Sequence, residues 1–394
     1  MNTVSVEILK DLYYMGVNDR DTNLFENMWP LPEGVAYNSY LIVDEKTALL
    51  DTVKITKVNG FIENLKKNLN GRDLDYLVIH HMEPDHSGCY LSVLDIYPNL
   101  TFVGNKKARA MFKDYLDMEP ENFIEVKEGD TLSLGKRTLT FVNTPMVHWP
   151  ESMVSYESTD KILFSQDIFG GFGALNGTIF DDEMNFDFFR DEIRRYYSNI
   201  VGKYSKQAAK ALQKVKTLEI NVICPVHGIV WRSHPNMIID EYIRLANQIN
   251  EEGVVIAYGS MYGNTEKMAD TLARYLAEEG IKNVKVFDTS KTDLSIMLST
   301  AFQYSTLVFA AASYNAEVFD TVQHLLSEIK NHNLANRTVG LIENGSWVPT
   351  AKLLMEKQIS TWKNTVILEP KVTVKSAVKE DSLAEIEKLA DAIV

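Results

Sequence analysis

Four side chains that can bind metal ions occur close together in the segment HHMEPDHSG, which directly follows the apolar run DYLVI. They are His81, Glu83, Asp85 and His86. Side chains alternate across the faces of a strand, whereas an irregular loop lets neighbouring side chains converge on two adjacent metal ions. Three further candidates each end or follow a short apolar run: His148 in MVHWPESM, Asp167 in FSQDIFGG and His227 in CPVHGIVWR. The pattern predicts a dinuclear metal site on loops at one end of a sheet.

The available ligand types indicate which metal this site prefers. The chain contains only two cysteines, Cys89 and Cys224, and they lack the CxxC spacing of a thiolate cage. Histidines and carboxylates must therefore hold any metal. Imidazole suits both zinc and iron, but the three carboxylates among the candidates are hard anionic ligands that stabilise ferric iron. We therefore expect iron rather than zinc.

A second group of candidates follows the apolar run VVIAYG near the middle of the chain. It comprises Ser260, Met261, Tyr262, Gly263, Asn264 and Thr265, and the helical sequence EKMADTLARYL comes next. Backbone N–H groups, the serine and threonine hydroxyls and the positive end of the helix can together bind a phosphate. The same residues can also form an ordinary strand-to-helix turn.

Two later loops follow the third and fourth apolar strands of the same region. One comprises Ala312, Ser313, Tyr314 and Asn315, and the other Asn344, Gly345, Ser346 and Trp347. Loops at the carboxyl ends of parallel strands commonly bind ligands beside the point where the strand order reverses. Each of the two aromatic side chains could stack on a planar ring of a ligand or pack in the ordinary way.

The elements that position these residues fall into two domains. Short apolar strands interleave with helical stretches in the first, which indicates a layered α/β fold. From Gly253 a buried strand and an amphipathic helix alternate five times, which predicts a doubly wound parallel sheet. The strands expected there are Val254–Tyr258, Val284–Phe287, Leu307–Ala311, Val339–Ile342 and Val366–Val374, and the helices begin near Asn264, Leu294, Val318, Pro349 and Asp381. We place the domains at residues 1–250 and 251–394.

Composition excludes several classes of function. A chain of 394 residues suits two domains, and 45% hydrophobic with 24% charged residues is typical of a compact soluble protein. The net charge of −14 disfavours binding to nucleic acid. The sequence lacks a long apolar run and a secretory signal, so we expect no membrane span and a cytoplasmic location.

The spacing of the metal candidates resembles that of the metallo-β-lactamase superfamily. Its dinuclear hydrolases use H-x-H-x-D-H followed by a distant histidine, an aspartate and a last histidine. Glu83 stands where those hydrolases have a neutral histidine, and this is the pattern of flavodiiron proteins. The segment from Ile256 to Leu272 is similar to the flavodoxin fingerprint. The whole chain therefore resembles an A-type flavodiiron protein, with a metallo-β-lactamase-like αββα sandwich and a C-terminal flavodoxin-like domain.

This resemblance implies the roles of individual residues. His81, Glu83 and His148 would bind one iron, Asp85, His86 and His227 the other, and Asp167 would bridge them. The flavin would be FMN, since the first loop lacks a phosphate-binding lysine or arginine and one domain is too small for FAD. A tyrosine in RRYYSNI, Tyr196 or Tyr197, would donate protons. The sequence does not distinguish between the two, and a packing role is equally consistent with either residue.

The resemblance also implies an activity and partners. Flavodiiron proteins reduce dioxygen to water or nitric oxide to nitrous oxide, and nothing in the sequence decides between the gases. Electrons would come from an external donor, such as a rubredoxin-like protein or a reduced deazaflavin. A head-to-tail homodimer, or a dimer of such dimers, would bring the FMN of one subunit to the irons of the other. The chief alternative is a dinuclear zinc hydrolase with a flavodoxin-like accessory module, but a hydrolase needs no electron source.

Overall fold

The computed structural model describes residues 5–394, which form two compact units. The first unit extends from the start of the described chain to Tyr197 and continues over Tyr204–Ile243. The second comprises Ser198–Lys203 and Arg244–Val394. The domain boundary predicted between residues 250 and 251 stays a prediction, and the observed division follows Ile243.

The first unit contains two main β-sheets and most of the shorter helices. Its strands are β1 (Val6–Leu9), β2 (Leu12–Tyr14), β3 (Val17–Asp19), β4 (Leu24–Phe25), β5 (Trp29–Pro30), β6 (Val35–Tyr37), β7 (Tyr40–Val43), β8 (Thr47–Leu50), β9 (Tyr76–Val78), β10 (Thr101–Gly104), β11 (Phe123–Glu125), β12 (Thr131–Ser133), β13 (Thr138–Asn143), β14 (Met153–Glu157), β15 (Ile162–Gln166) and β16 (Val222–Pro225). Its helices are α1 (Val58–Leu69), α2 (Pro84–Ser87), α3 (Tyr90–Ile96), α4 (Lys106–Leu116), α5 (Asp187–Tyr196) and α6 (Ser205–Val215), while α7 (Pro235–Ala246) leads into the second unit.

The two main sheets of the first unit place the loops of interest. One sheet has the order β1-β2-β7-β8-β9-β10-β11, and the other β12-β13-β14-β15-β16. Strands β8, β15 and β16 are buried along their whole length, as expected for apolar strands that are covered on both faces. The candidate metal ligands follow β9, β13, β15 and β16. Strands that are packed in this way hold their loops at fixed positions.

The second unit is a parallel sheet with helices between its strands. Its strands are β17 (Glu251–Gly259), β18 (Val284–Asp288), β19 (Tyr304–Tyr314), β20 (Glu317–Val318), β21 (Thr338–Asn344), β22 (Val366–Ile367) and β23 (Val372–Val374). Its helices are α8 (Asn264–Glu278), α9 (Leu294–Gln303), α10 (Asp320–Asn331), α11 (Ala351–Ile359) and α12 (Glu380–Ile393). The strand order β18-β17-β19-β21-β22 reverses direction beside β17, as in doubly wound folds.

Two predicted elements of this unit differ from the structure. The expected strand Val366–Val374 is split into β22 and β23, and both pair with β21. Pro370 lies between them and lacks the N–H that a continuous ladder requires. The helix expected to begin near Val318 begins at Asp320, because Val318 pairs with Ser313 in the short ribbon of β19 and β20.

Candidate metal centre and flavin loops

The structure brings all seven predicted metal ligands into two adjoining groups. Within each group, one ligand atom from every side chain lies within 4.8 Å of the others. The first group contains His81, Glu83, His148 and Asp167, and the second contains Asp85, His86 and His227. Four imidazoles and three carboxylates thus converge on two positions. This geometry supports the predicted roles of these side chains as metal ligands.

Asp167 lies between the two groups and faces both. Its Oδ2 atom is 3.4 Å from His81 Nε2 and 3.5 Å from His148 Nε2. Its Oδ1 atom is 3.7 Å from His86 Nε2 and 3.6 Å from His227 Nε2. Burial opposes ionisation, but the surrounding imidazoles hold the pKa of the Asp167 carboxyl well below its usual range. An ionised carboxylate in this position can bridge two cations.

The second group contains polar atoms that a cation would satisfy. Neither carboxylate oxygen of Asp85 has a hydrogen-bond partner within residues 5–394. The Nε2 atoms of His86 and His227 lie 3.0 Å apart, although two unprotonated imidazole nitrogens repel each other. Asp85 Oδ2 is 3.5 Å from the first of these nitrogens and 3.4 Å from the second. One cation shared by the three side chains therefore fits this donor set.

Hydrogen bonds from outside the cluster orient two of its imidazoles. The Nδ1 atom of His81 lies 2.8 Å from Glu151 Oε1, which also accepts a bond from the backbone of Met82. His227 Nδ1 donates to the carbonyl oxygen of Ala36 at 2.9 Å. Both contacts leave Nε2 directed at the cluster, as is usual for histidines that bind metals. Glu151 is not among the residues predicted from the sequence, although it lies three residues after His148 in MVHWPESM.

Local backbone structure turns the ligands away from their strands. Pro84 begins helix α2 directly after Glu83, a position that favours proline because its missing N–H is not needed there. Gln166, the last residue of β15, has a left-handed φ of 55°, which ends the strand immediately before Asp167. The side-chain amide of Gln166 also donates a hydrogen bond to Asp167.

The first predicted flavin loop joins β17 to α8. Ser260 Oγ accepts a hydrogen bond from the Gly263 backbone N–H at 3.1 Å, which closes the turn. Gly263 has a φ of 87°, a conformation that favours glycine, and it lies directly before the first residue of α8. Thr265 is buried in the first turn of the helix, whereas Met261 and Tyr262 are exposed. The turn thus presents backbone N–H groups at the N-terminus of a long helix.

The other two predicted loops begin inside the ends of β19 and β21, which are neighbours in the sheet, because both strands are longer than the sequence predicted. Tyr314 and Trp347 are exposed by 45% and 85%, far more than is usual for aromatic side chains. Ser313 has a role that the sequence did not suggest, because its Oγ accepts hydrogen bonds from the backbones of Thr350 and Ala351 at 2.9 and 3.1 Å. It therefore caps the N-terminus of α11.

The remaining predicted flavin contacts in these loops lie at the same strand ends. Ala312 is buried in β19, and Asn315 follows that strand with a left-handed φ of 52°. Asn344 ends β21 and donates from Nδ2 to the carbonyl oxygen of Ser376 at 2.8 Å. Gly345 and Ser346 come directly after it. All three loops therefore lie at the carboxyl ends of adjacent parallel strands.

Both units are similar to known protein families. Residues 35–228 match the family model described as ODP family beta lactamase, and residues 256–356 match that of flavodoxin. A nitric oxide reductase from Moorella thermoacetica is 33% identical over 94% of this chain and 93% of its own length. The solved rubredoxin oxygen:oxidoreductase from the anaerobe Desulfovibrio gigas is 28% identical, with a TM-score of 0.94 over 99% of this chain and 98% of that one. A flavodiiron protein from Giardia intestinalis is 27% identical, with a TM-score of 0.93 over 100% of this chain and 97% of that one.

The chain belongs to the flavodiiron proteins. The predicted fold, a metallo-β-lactamase-like unit followed by a flavodoxin-like unit, is confirmed. The predicted enzyme class, oxidoreductase, is confirmed as well. FMN and a non-haem di-iron centre, the predicted cofactors, agree with a flavodoxin domain and with the donor set of the cluster. In the described part of this flavodiiron chain, no helix is both long and apolar enough to cross a membrane.

The two tyrosines predicted as alternative proton donors of the flavodiiron centre lie in different surroundings. Tyr196 Oη donates to Asp167 Oδ1 at 2.8 Å. The hydroxyl of Tyr197 lies 3.1 Å from Ser205 Oγ. Consecutive residues at a helix end project in directions about 100° apart, so only one of the two can face the cluster. The structure brings Tyr196 to the metal ligands.

Glu26, in the turn between β4 and β5, is another acid near the cluster that the sequence did not suggest. Its Oε2 atom accepts a hydrogen bond from Trp29 Nε1 at 3.3 Å. Partial desolvation by the neighbouring protein and the negative charge of Glu83 raise the pKa of Glu26 to about 7, although its side chain is still exposed to solvent. The preceding residue, Phe25, packs edge-on against His227, with ring centroids 5.4 Å apart. The turn therefore lies beside the cluster, although it precedes the first ligand by more than fifty residues.

Proposed function

We propose that this flavodiiron protein reduces dioxygen to water or nitric oxide to nitrous oxide, with electrons that an external donor supplies through FMN. The observation that carries the proposal is the buried cluster of seven ligands in two groups, with Asp167 between them. Two of the similar proteins support the two gases, since one is named an oxygen:oxidoreductase and the other a nitric oxide reductase.

The two groups define the proposed ligand sets. His81, Glu83 and His148 would hold one iron, and Asp85, His86 and His227 the other. Asp167 would bridge them, since each of its oxygens faces one group. Two irons next to each other can store electrons and bind a small oxidising gas, and a flavin can accept electrons in pairs and release them singly.

The side chains of the protein would supply protons and fix the geometry. Tyr196 holds a hydroxyl proton 2.8 Å from the proposed bridging carboxylate, so it is placed to donate a proton at the centre. Glu151 fixes the orientation of His81. The exposed rings of Tyr314 and Trp347 would contact the isoalloxazine ring of FMN, and the turn at Gly263 would bind its phosphate.

We also propose the partners of this reaction. The donor would be a rubredoxin-like protein or a reduced deazaflavin, and the name of the Desulfovibrio gigas relative supports the first. The assembly would be a head-to-tail homodimer or a dimer of such dimers, which brings the FMN of one subunit to the irons of another. The protein would act in the cytoplasm.

Metal analysis, flavin analysis and gas electrodes test the proposal together. The purified protein should contain iron and FMN, and a chemically reduced donor should bleach the flavin. Addition of either gas should then restore the flavin absorbance while the electrode records consumption of that gas. Comparison of the two rates assigns the preferred substrate.

Two results would contradict the proposal. Zinc in place of iron, with a flavin that stays reduced when the gases are added, would indicate a hydrolase with an accessory flavodoxin unit. Gas consumption that persists unchanged in protein stripped of iron would show that the cluster is not the site of reduction.

A further inference from the structure

We propose that Trp149 and Tyr115 form a path that carries oxidising equivalents from the metal cluster to the protein surface. The path would protect the cluster when dioxygen arrives and the flavin holds too few electrons. This inference rests on the proposed reduction of dioxygen at the cluster.

The path consists of three rings in sequence. The centroid of the His81 ring lies 5.0 Å from that of Trp149, and the planes meet at 83°. Trp149 then stacks on Tyr115, with centroids 6.1 Å apart and planes inclined by 22°. Tyr115 lies on α4 and is 48% exposed. A candidate metal ligand is thus connected to solvent through two aromatic side chains.

Trp149 also contacts a second candidate ligand, and its backbone is fixed. Its ring centroid lies 6.2 Å from that of His148, so it adjoins two imidazoles of the same group. The carbonyl oxygen of Trp149 accepts a bond from the backbone of Met146 at 2.7 Å, and its own N–H donates to Ser152 Oγ at 3.2 Å. The backbone that carries the indole is therefore held in a tight turn.

The chemistry of these side chains sets the direction of transfer. Indole and phenol lose one electron to a strong oxidant but are very hard to reduce. They can therefore deliver electrons to an over-oxidised cluster, whereas they cannot relay electrons from a mild donor at low potential. The path would be silent during normal turnover and active only when electrons are lacking.

The reaction balances with dioxygen as the oxidant and a thiol as the final reductant. Complete reduction of dioxygen to two waters takes four electrons and four protons, and two of each are missing when the flavin is oxidised. Tyr115 gives one electron through Trp149 and releases its phenolic proton to solvent. A thiol returns a hydrogen atom to the resulting tyrosyl radical, and two thiyl radicals combine to a disulfide. Two passes of this kind supply the missing electrons and protons.

The test uses the holoprotein in a partly reduced state, in which the irons are reduced and the flavin is oxidised. It is mixed with excess dioxygen and frozen for electron paramagnetic resonance, and oxidised side chains are mapped by mass spectrometry. Tyr115→Phe keeps the stacked ring but removes the phenol. Tyr97→Phe, at another partly buried tyrosine of the same unit, is the matched control. A parallel sample receives hydrogen peroxide instead of dioxygen.

We expect a tyrosyl radical and oxidised Tyr115 in the wild-type protein and in Tyr97→Phe. Both should be lost in Tyr115→Phe, where oxidation should increase at Trp149 and at the candidate ligands. An undiminished radical in Tyr115→Phe with both oxidants would overturn the path. An oxygen electrode measures dioxygen consumption in a separate sample, and a lack of consumption there would show that the proposed function fails. The sample treated with hydrogen peroxide would still show whether the path exists.

Discussion

Glu83 contacts two imidazoles of the cluster at once. Its Oε2 atom lies 3.1 Å from His81 Nε2 and 3.0 Å from His148 Nε2. Burial opposes ionisation, but these two hydrogen bonds hold the pKa of the Glu83 carboxyl well below its usual value. The residue therefore brings a full negative charge to a position where the dinuclear hydrolases of the metallo-β-lactamase superfamily have a neutral imidazole. Such a charge favours iron in its ferric state.

Replacement of this charge should weaken iron binding without affecting the flavin. Glu83→Gln keeps the shape of the side chain but removes a charged ligand. Loss of a residue that only hydrogen-bonds to a metal ligand typically lowers metal affinity by about 10-fold to 100-fold, and we expect loss of a ligand to lower iron affinity at least as much. Iron and FMN contents, measured on the same preparation, check this, with exposed Glu33→Gln as the control. Unchanged iron content would remove Glu83 from the ligand set.

The hydroxyl of Tyr196 should matter for turnover rather than for assembly. Tyr196→Phe removes the hydrogen bond to Asp167. We expect gas reduction to slow by about 100-fold or more, as is common when a general acid is lost, while iron and FMN contents stay normal. Tyr197→Phe is the neighbouring control, and it should retain nearly full activity because its hydroxyl lies beside Ser205. Equal rates in both variants would show that Tyr196 is not the proton donor.

Sequence spacing could predict the seven clustered residues because their types and order form a recognisable motif. It could not predict Glu26, which comes near the cluster only through the folding of the turn between β4 and β5. Nor could it distinguish Tyr196 from Tyr197, since that choice depends on the rotation of α5 about its axis. The carbonyl oxygen of Ala36, which orients His227, carries no signal in its side chain.

At the scale of elements, the cap of α11 connects two of the predicted flavin loops. Ser313 lies near the end of β19, and its Oγ accepts hydrogen bonds from backbone N–H groups just beyond the loop after β21. Ser313→Ala should lower the free energy of unfolding of the second unit by about 1 kcal/mol, the usual cost of a lost helix cap. Urea unfolding followed by circular dichroism measures this. Ser346→Ala, in the next predicted loop, should have a smaller effect, and an equal effect would contradict the capping role.

A buried ion pair at the end of β3 should make the stability of the first unit depend on pH. Asp19 lies 3.2 Å from Lys57 Nζ and accepts a 2.6 Å bond from Thr22 Oγ1. Burial alone would raise the pKa of Asp19, but its hydrogen bonds lower that pKa to about 2. Since the folded pKa lies below the unfolded one, the stabilisation is complete above about pH 4 and disappears as the pH falls from there to about 2.

Asp19→Asn tests this dependence. At neutral pH we expect the variant to unfold about 1–3 kcal/mol more easily than the wild-type protein, because the charged hydrogen bonds are lost. The difference should shrink as the pH falls towards about 2, where the wild-type carboxyl is itself protonated. Urea midpoints at several pH values measure it, and Asp114→Asn, at an exposed position of the same unit, is the control. A difference that stays constant with pH would rule out the ion pair as its cause.

At the scale of the whole molecule, each unit should be stabilised by its own cofactor. Removal of iron leaves the clustered carboxylates and imidazoles without their proposed cations. Amide hydrogen exchange should then increase in residues 80–88, 145–152 and 165–173, by up to about 1000-fold if the metal was present at 1000 times its dissociation constant. Strands β17 and β19 should keep their protection. Exchange that increases equally in both units would show that iron stabilises the whole chain rather than one part of it.

The organisation into two units was predictable because a regular alternation of apolar strands and amphipathic helices begins near Gly253. The fold of each unit followed from that rhythm together with the resemblance of its motifs. The segment Ser198–Lys203 was not predictable, since nothing in its composition distinguishes it from the first unit that surrounds it. The segment belongs to the second unit because of tertiary contacts, such as that of Gly202 with Phe302 and that of Asn199 with Ser295.

This segment has a consequence for how the protein can be divided or recombined. The chain passes into the second unit just after Tyr197, returns at Tyr204, and leaves again after Ile243. A single cut near residue 250 therefore separates the second unit from a piece of itself, and that piece begins two residues after Tyr196, which touches the metal cluster. A graft that exchanges the flavodoxin part between relatives must carry residues 198–203 as well.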